Sequence, residues 1–291
     1  MLDQLEGKPI PGTDEAQGPF FSLDGQWLGF FQQNSSNSSF RWRNKLKKVQ
    51  VIGGATITLC DAGAYNAGAS WALDGTIIFG TVNQGLSKVS AAGGTPQAIT
   101  QLDSKRGDRS HRWPQILPGG QAVLFAAGAA AFDDAKIVAL SFKTGQQRVL
   151  VDGGTYPHYA HTGPAQPDKR GTGHIVYWRR GSLFAVPFDL ARLEVTGSPV
   201  PILEGVRGVG ASGNISYSFS DAGSLVYVPG VATQAELSPE LSLAWVDRQG
   251  KAQPIPRRRT RTSTCACRRK ASAWPSRSFG RPTGPQVRMP E

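Results

Sequence analysis

Four groups of residues in this 291-residue chain have the types and spacing to do chemistry. His111 stands near Asp103, Asp108 and several serines, the ingredients of a triad in which an imidazole takes the proton of an attacking hydroxyl. Those ingredients occur in any long chain, and no Gly-x-Ser-x-Gly segment places a serine on the strained strand-to-helix turn that exposes such a nucleophile. His158 and His161 are three apart, which on a helix brings two imidazoles toward one metal, but Pro157 and Gly163 surround them with turn signals and no further zinc ligands are evident. Gly208-Val209-Gly210-Ala211-Ser212-Gly213 has the glycine spacing of a dinucleotide loop. That loop works only when a helix N-terminus receives the pyrophosphate, whereas Ile215, Tyr217 and Phe219 alternate as a strand does, so the segment reads as a connecting loop. Asp24, Asp74 and Asp221 would need several more oxygen ligands each to hold calcium and read as turn residues. No catalytic, cofactor-binding or metal-ligating residue is therefore assigned, and no cofactor is expected.

The elements around these residues repeat with a period near fifty. Phe21-Ser22-Leu23-Asp24-Gly25 leads into Trp27-Leu28-Gly29-Phe30, and Trp71-Ala72-Leu73-Asp74-Gly75 leads into Ile77-Ile78-Phe79. Trp113 to Gly120, with Gly119 and Gly120 in the turn, precedes Val123-Leu124-Phe125; Gly173 precedes Ile175-Val176-Tyr177; Phe219-Ser220-Asp221-Ala222-Gly223 precedes Leu225-Val226-Tyr227. Each copy reads as strand, tight turn, strand, because Asp can bond its own backbone and Gly accepts a positive φ. A second hairpin follows in each period, turning at Gly53-Gly54, Gly93-Gly94, Thr144-Gly145, Thr196-Gly197 and Gln249-Gly250. Two hairpins per period make a four-stranded antiparallel unit, and radial repetition of such units is the β-propeller. The fold class expected is all-β, with about five recognisable blades in an incomplete or open arrangement. Phe21, Trp71, Trp113 and Phe219 are the expected core aromatics, since large rings supply most of the buried area where blades meet.

With those residues laid out, the chain resembles the TolB-type, WD-repeat-like propellers, whose blades carry a Ser-Pro-Asp-Gly-like turn before an apolar strand; Leu23 and Leu73 stand where proline is usual. His111-Arg112-Trp113-Pro114, Gly181 to Phe188 and Leu193-Glu194-Val195-Thr196-Gly197 resemble the propeller region attached to many bacterial serine/threonine protein kinases. That resemblance implies a sensing or binding propeller outside the membrane, joined to a membrane-anchored parent. The chain has no kinase Gly-rich loop, His-Arg-Asp catalytic loop or Asp-Phe-Gly, so kinase chemistry does not carry over.

The formal charge of +11 belongs to one end. Residues 257–291 hold ten Lys or Arg against one acid, and the preceding body is nearly neutral, which argues against a nucleic-acid-binding face. Cys60, Cys265 and Cys267 form no disulfide framework or zinc spacing. The longest weakly polar stretch, Ala122 to Phe132, is too short to span a bilayer, and nothing after Met1 resembles a secretory signal, so as written the chain is expected to stay in the cytoplasm. The expected organisation is the end of a truncated blade over 1–13, propeller blades over 14–256 and a basic tail over 257–291. Shifted by one base, a nucleotide string able to encode Cys267 to Pro275 reads Leu-Ser-Pro-Glu-Gly-Lys-Arg-Val-Ala, the blade motif in phase with the repeat, so the tail is expected to be a frameshifted blade. An arc so interrupted leaves open edges and should associate.

The function expected from sequence is a non-enzymatic sensing or binding module that takes a protein, peptide or small ligand at its loops. Two alternatives are the gating propeller of a prolyl-oligopeptidase-like hydrolase and a free TolB-like periplasmic protein.

Overall fold

A computed structural model describes residues 9–33, 44–128, 132, 135–162, 172–209, 212–220, 224–230, 244–246 and 252–254. The expected tail, most of the expected truncated blade, the polar loop Asn34 to Ser39, and Asp221 and Gly223 lie outside these residues.

The described chain folds into successive antiparallel sheets. Blade 1 is β1 (Ala16–Phe21), β2 (Trp27–Gln33), β3 (Asn44–Gln50) and β4 (Ile57–Asp61); blade 2 is β5 (Asn66–Trp71), β6 (Thr76–Thr81), β7 (Ser87–Ser90) and β8 (Gln97–Ala98). Blade 3 is β9 (Ser110–Ile116), β10 (Ala122–Gly128), β11 (Lys136–Ser141) and β12 (Gln147–Asp152). Blade 4 is β13 (Thr155–His161), β14 (Thr172–Arg179) and β15 (Ser182–Asp189), with both β16 (Glu194–Val195) and β17 (Val200–Leu203) on the far edge of β15. A short ribbon of β18 (Gly208–Val209) and β19 (Asn214–Ile215) precedes blade 5, which is β20 (Tyr217–Phe219), β21 (Leu225–Tyr227), β22 (Ala244–Val246) and β23 (Ala252–Pro254). The first strands β1, β5, β9 and β13 meet one another in chain order, as the inner strands of a propeller do.

The apolar runs explain why the sheets stack face to face. Successive side chains of a strand point to opposite faces, so a run buried throughout serves two neighbours. In β6, Ile77 and Phe79 join Phe20, Phe31 and Leu46 between blades 1 and 2, while Ile78 joins Val123 and Phe125 between blades 2 and 3. In β14, Ile175 and Tyr177 face Leu124 and Ile137 of blade 3, while Val176 and Trp178 face Ile215 of the β18–β19 ribbon and Tyr217 of blade 5.

The Asp-Gly turns are built from local bonds. The Asp24 carboxylate accepts from the Ser22 hydroxyl at 2.6 Å and from the Gln26 amide at 3.0 Å, and Gly25 holds a φ of 65°. Asp74 accepts from the Thr76 amide at 2.8 Å, with Gly75 at 83°, and Gly119 and Gly120 turn at 84° and 65°. The turn expected at Gly173 is not there: Gly173 lies inside β14, paired with His161 and Phe188. Its missing side chain serves packing, because a Cβ would sit 2.4 Å from the ring of Tyr159.

Trp71 is buried between blades 1 and 2, 6.1 Å from Phe20. In blade 1 the buried ring is Phe20, while Phe21 is half-buried: Phe20 lies over Gly29, where any Cβ would come within 2.3 Å of it. Trp113 and Phe219 are half-buried and belong to the site described next. No helix among the described residues is long and apolar enough to cross a membrane.

Candidate functional site

Each of the first four inner strands opens with a β-bulge, an extra residue that breaks the ladder and re-aims the side chains beside it. The residue in left-handed conformation is Gly18 in β1 and Gly68 in β5, with φ of 55° and 87°. In β9 and β13 the same place holds Trp113 and Tyr156, each at 56°. Pro19, Pro114 and Pro157 follow directly, and a proline at a bulge leaves no amide unpaired. An aromatic residue held in this region stores roughly 1–3 kcal/mol of strain, which the surrounding contacts must offset.

Those contacts form a chain of rings across blades 3 to 5. Trp113 and Tyr156 are 4.8 Å apart between centroids, Tyr156 and Tyr217 5.5 Å, His158 and Tyr217 5.4 Å, and His158 and Phe219 5.4 Å. Tyr217 is fully buried, and its hydroxyl donates to the Tyr156 carbonyl at 2.5 Å, with the Val176 carbonyl at 3.2 Å. That bond holds the Tyr156 peptide in its unusual orientation. Burial pushes the Tyr217 phenol well above the ordinary tyrosine range, so it stays a donor at any working pH.

Beside Trp113, Arg112 is tied on three sides. Its Nη1 donates to the Ser212 carbonyl at 2.7 Å, its Nε donates to the Ser110 hydroxyl at 3.0 Å, and its guanidinium lies 4.1 Å over the Phe132 ring. Ser212 and Gly213 form the described part of the turn between β18 and β19, which thereby lies against blades 3 and 4. Gly213 packs so closely that a Cβ would fall 2.7 Å from Thr155 Oγ1 and 2.9 Å from Phe132 Cβ. Thr155 Oγ1, at this contact, is buried with no hydrogen-bond partner among the described residues, as are Trp113 Nε1 and Asn214 Oδ1. The described part of the glycine-rich segment 208–213 thus begins as strand β18 and is followed directly by strands β19 and β20.

Of the residues weighed as triad partners, Asp108 alone meets His111, together with a hydroxyl that the sequence reading did not name, Thr100. Thr100 Oγ1 and His111 Nδ1 are 2.8 Å apart, and His111 Nε2 is 3.3 Å from Asp108 Oδ2. The Asp108 carboxylate can only accept, so in the neutral imidazole the proton sits on Nε2 and Nδ1 accepts from the Thr100 hydroxyl, which itself accepts the Leu86 amide at 2.7 Å. Asp108 also lies 3.3 Å from Arg106 Nη2, and Arg106 Nε lies 3.1 Å from Asp103 without a directed hydrogen bond. His111 is wholly buried, and burial is the main cause that pushes its pKa below the ordinary imidazole value. A nucleophile needs an open face, and this hydroxyl is enclosed and already accepts an amide. The arrangement clips the connection from β8 to β9 onto blade 2.

His158 and His161 lie on opposite faces of β13, His158 among the rings and His161 exposed at the strand end. Among the described residues no group of three or more His, Cys, Asp or Glu is placed to hold a metal. Thr100, Arg112, Tyr156, Tyr217 and the Ser212–Gly213 contact were not indicated by sequence reasoning. One signal was present, the recurrence of Pro19, Pro114 and Pro157 directly after the bulged residue.

No family model matches the chain, nor does any curated protein. Solved structures do. A TolB-type protein from Agrobacterium tumefaciens superposes with a TM-score of 0.57 at 15% identity, over 86% of this chain and 82% of that one. A calcium-binding regucalcin from the same organism gives 0.54 at 16%, over 86% and 75%. A gluconolactonase from Xanthomonas campestris gives 0.53 at 16%, over 86% and 78%. An oligogalacturonate lyase and a luciferin-regenerating enzyme are also similar. The expectation that the chain is not an enzyme is corrected on this point: its structural neighbours include enzymes, so the lack of kinase and hydrolase motifs does not exclude catalysis. What these likenesses and the four-stranded sheets establish is the architecture, and the chain is a β-propeller with TolB-like neighbours.

Proposed function

We propose that the chain is a recognition propeller that takes its ligand at the end where the inner strands begin, on the face carried by Trp113, Tyr156, His158 and Phe219, and that it serves a larger protein as its sensing part. The observation that carries this reading is the exchange of glycine for an aromatic at one structural position. Blades 1 and 2 have Gly18 and Gly68 at the bulge, where a left-handed residue is free of strain, whereas blades 3 and 4 hold Trp113 and Tyr156 there. Strained backbone of this kind clusters at ligand clamps, where the strain fixes a side chain in its working position. Both rings are half-buried, so they keep a face for a partner. The resemblance to kinase-attached propellers supports the sensing role.

The test is a ligand screen on protein carrying 5-fluorotryptophan, with the Trp113 resonance assigned from Trp113→Phe. Peptide, saccharide and aromatic fragments that bind should shift Trp113 and leave the resonances of Trp27, Trp71 and Trp178 in place. Hits that shift the other tryptophans and spare Trp113 would remove this end of the propeller as the binding site.

A further inference from the structure

Blade 2 passes to blade 3 through a strap over 101–109, between Thr100 and Ser110. Asp108 alone among these residues is buried, its side chain 3% exposed. The strap's backbone bonds run mostly within it: the Asp103 carbonyl accepts from the Arg106 and Asp108 amides, and the Ser104 carbonyl from the Gly107 amide. Its ties to the blades are few. The Arg109 amide donates to the Gly128 carbonyl at 2.8 Å, Arg106 Nη2 donates to the Gln147 side chain of β12 at 3.3 Å, and Asp108 meets the His111 ring. A segment that buries so little opens at a fraction of the cost of unfolding the whole chain.

Of these ties, the one to His111 responds to acid. The Leu86 amide donates to Thr100 Oγ1, the Thr100 hydroxyl to Nδ1, and Nε2 to Asp108, so both nitrogens of the neutral imidazole are used, each in one direction. A second proton would sit on Nδ1 and face the Thr100 hydroxyl proton. Thr100 could accept it only by turning its own proton away, and both residues are buried, where an unpaired donor is costly. Asp108 favours a charged ring, but it already holds Arg106 Nη2 and the Asp103 amide, each at 3.3 Å, and Arg106 opposes a further cation. Among the described residues these are the charged groups that act on the ring. β10 presents Phe125, 4.7 Å away between centroids, and blade 2 presents the Thr100 hydroxyl.

We propose that Asp108 and His111 form an acid-released latch: on taking a proton from solvent, His111 lets go of the strap 101–109, which lifts from blades 2 and 3 while the sheets stay folded. With the strap lifted, water reaches the imidazole edge that Asp108 covered, and Thr100, where the strap begins, can turn its hydroxyl. The open form therefore takes the proton at the ordinary imidazole value, about 6.5, and the closed form only at lower pH, because burial outweighs the carboxylate. Between those two values each fall in pH favours the open form, by at most about tenfold per unit for one proton.

Hydrogen–deuterium exchange of the full chain, read by mass spectrometry at pH 7.5, 6.5 and 5.5 with each rate divided by the intrinsic amide rate at that pH, is the experiment. Protection of the peptide over 103–110, which holds the Arg109 amide, should fall about three- to tenfold from pH 7.5 to 5.5. Opening of the strap alone exposes little surface, so about 1 M urea should leave this protection unchanged while lowering that of β6, β10 and β14. His111→Gln keeps a donor and an acceptor but takes no proton, so it should remove the pH response; His111→Asn serves the same end if that variant does not fold. The wild-type chain decides by itself. Strap protection that is constant with pH, or that follows urea as the sheets do, would overturn the latch, as would a pH response that persists in a folded His111 variant.

Discussion

Replacing Gly68 by alanine tests the geometry of the bulges directly. Gly68 has a φ of 87°, and a Cβ there would stand 2.7 Å from Trp113 Cε3 and 3.1 Å from Trp113 Cα. Two penalties combine. A left-handed conformation costs an L-residue roughly 1–2 kcal/mol, and forcing a methyl into filled space typically adds about 1–3 kcal/mol. The Trp113 backbone cannot withdraw without opening β9, so the expected loss is about 2–5 kcal/mol by these terms. Gly53→Ala is the control, because Gly53 also has a positive φ, 101°, but nothing lies within 4 Å of its Cβ position. Urea unfolding of both variants should therefore place Gly68→Ala at least about 1 kcal/mol below Gly53→Ala, the difference being the steric part alone. The Trp113 signal should shift in the first variant and stay fixed in the second. Equal destabilisation by the two, with an unmoved Trp113, would refute the packing of Trp113 over the neighbouring blade's bulge.

Four further outcomes are expected. Tyr217→Phe removes the donor that holds the Tyr156 carbonyl and should cost about 1–3 kcal/mol in urea unfolding, the range for leaving a buried group unpaired. His111 is buried and its folded pKa is lowered, so the unfolded chain takes up the proton first as pH falls. Stability contributed by the neutral imidazole is therefore present above about pH 6.5 and is lost as the pH drops below it, until the folded imidazole is itself protonated; His111→Gln should flatten the slope of urea midpoint against pH between 7.5 and 5, and an unchanged slope would exclude His111 as its source. The Cys60 thiol, buried and with its pKa pushed up to about 11, should resist a disulfide reagent at pH 8 until the protein is unfolded, with Cys265 and Cys267 replaced by serine. Thr100→Val should destabilise the chain by about 1–3 kcal/mol, because it strands both the Leu86 amide and His111 Nδ1.

Much of the architecture was legible because its causes are local or periodic. Asp24 and Asp74 make their turns with bonds two residues away, and runs such as Ile77-Ile78-Phe79 announce two buried faces. Gly173 misled because glycine serves two needs, and here it answers the Tyr159 ring across the sheet, a contact that adjacent residues do not encode. The candidate site was largely hidden for the same reason. Thr100 meets His111 across a connection that folds back, and Ser212 meets Arg112 across one hundred positions. The aromatic at the bulge reads as a core residue until the backbone shows it left-handed. Whether such a propeller catalyses is not written in the repeat at all, since the fold is common to TolB and to a gluconolactonase.

The measurement that bears most directly on the recognition end restores to blades 3 and 4 the residue that blades 1 and 2 carry. In Trp113→Gly/Tyr156→Gly the bulges lose their strain and their rings together, so folding, followed by far-ultraviolet circular dichroism, should persist. Ligands found with the wild-type chain should then fail to bind. A folded double variant that binds them with unchanged affinity would contradict the assignment of this face as the ligand seat.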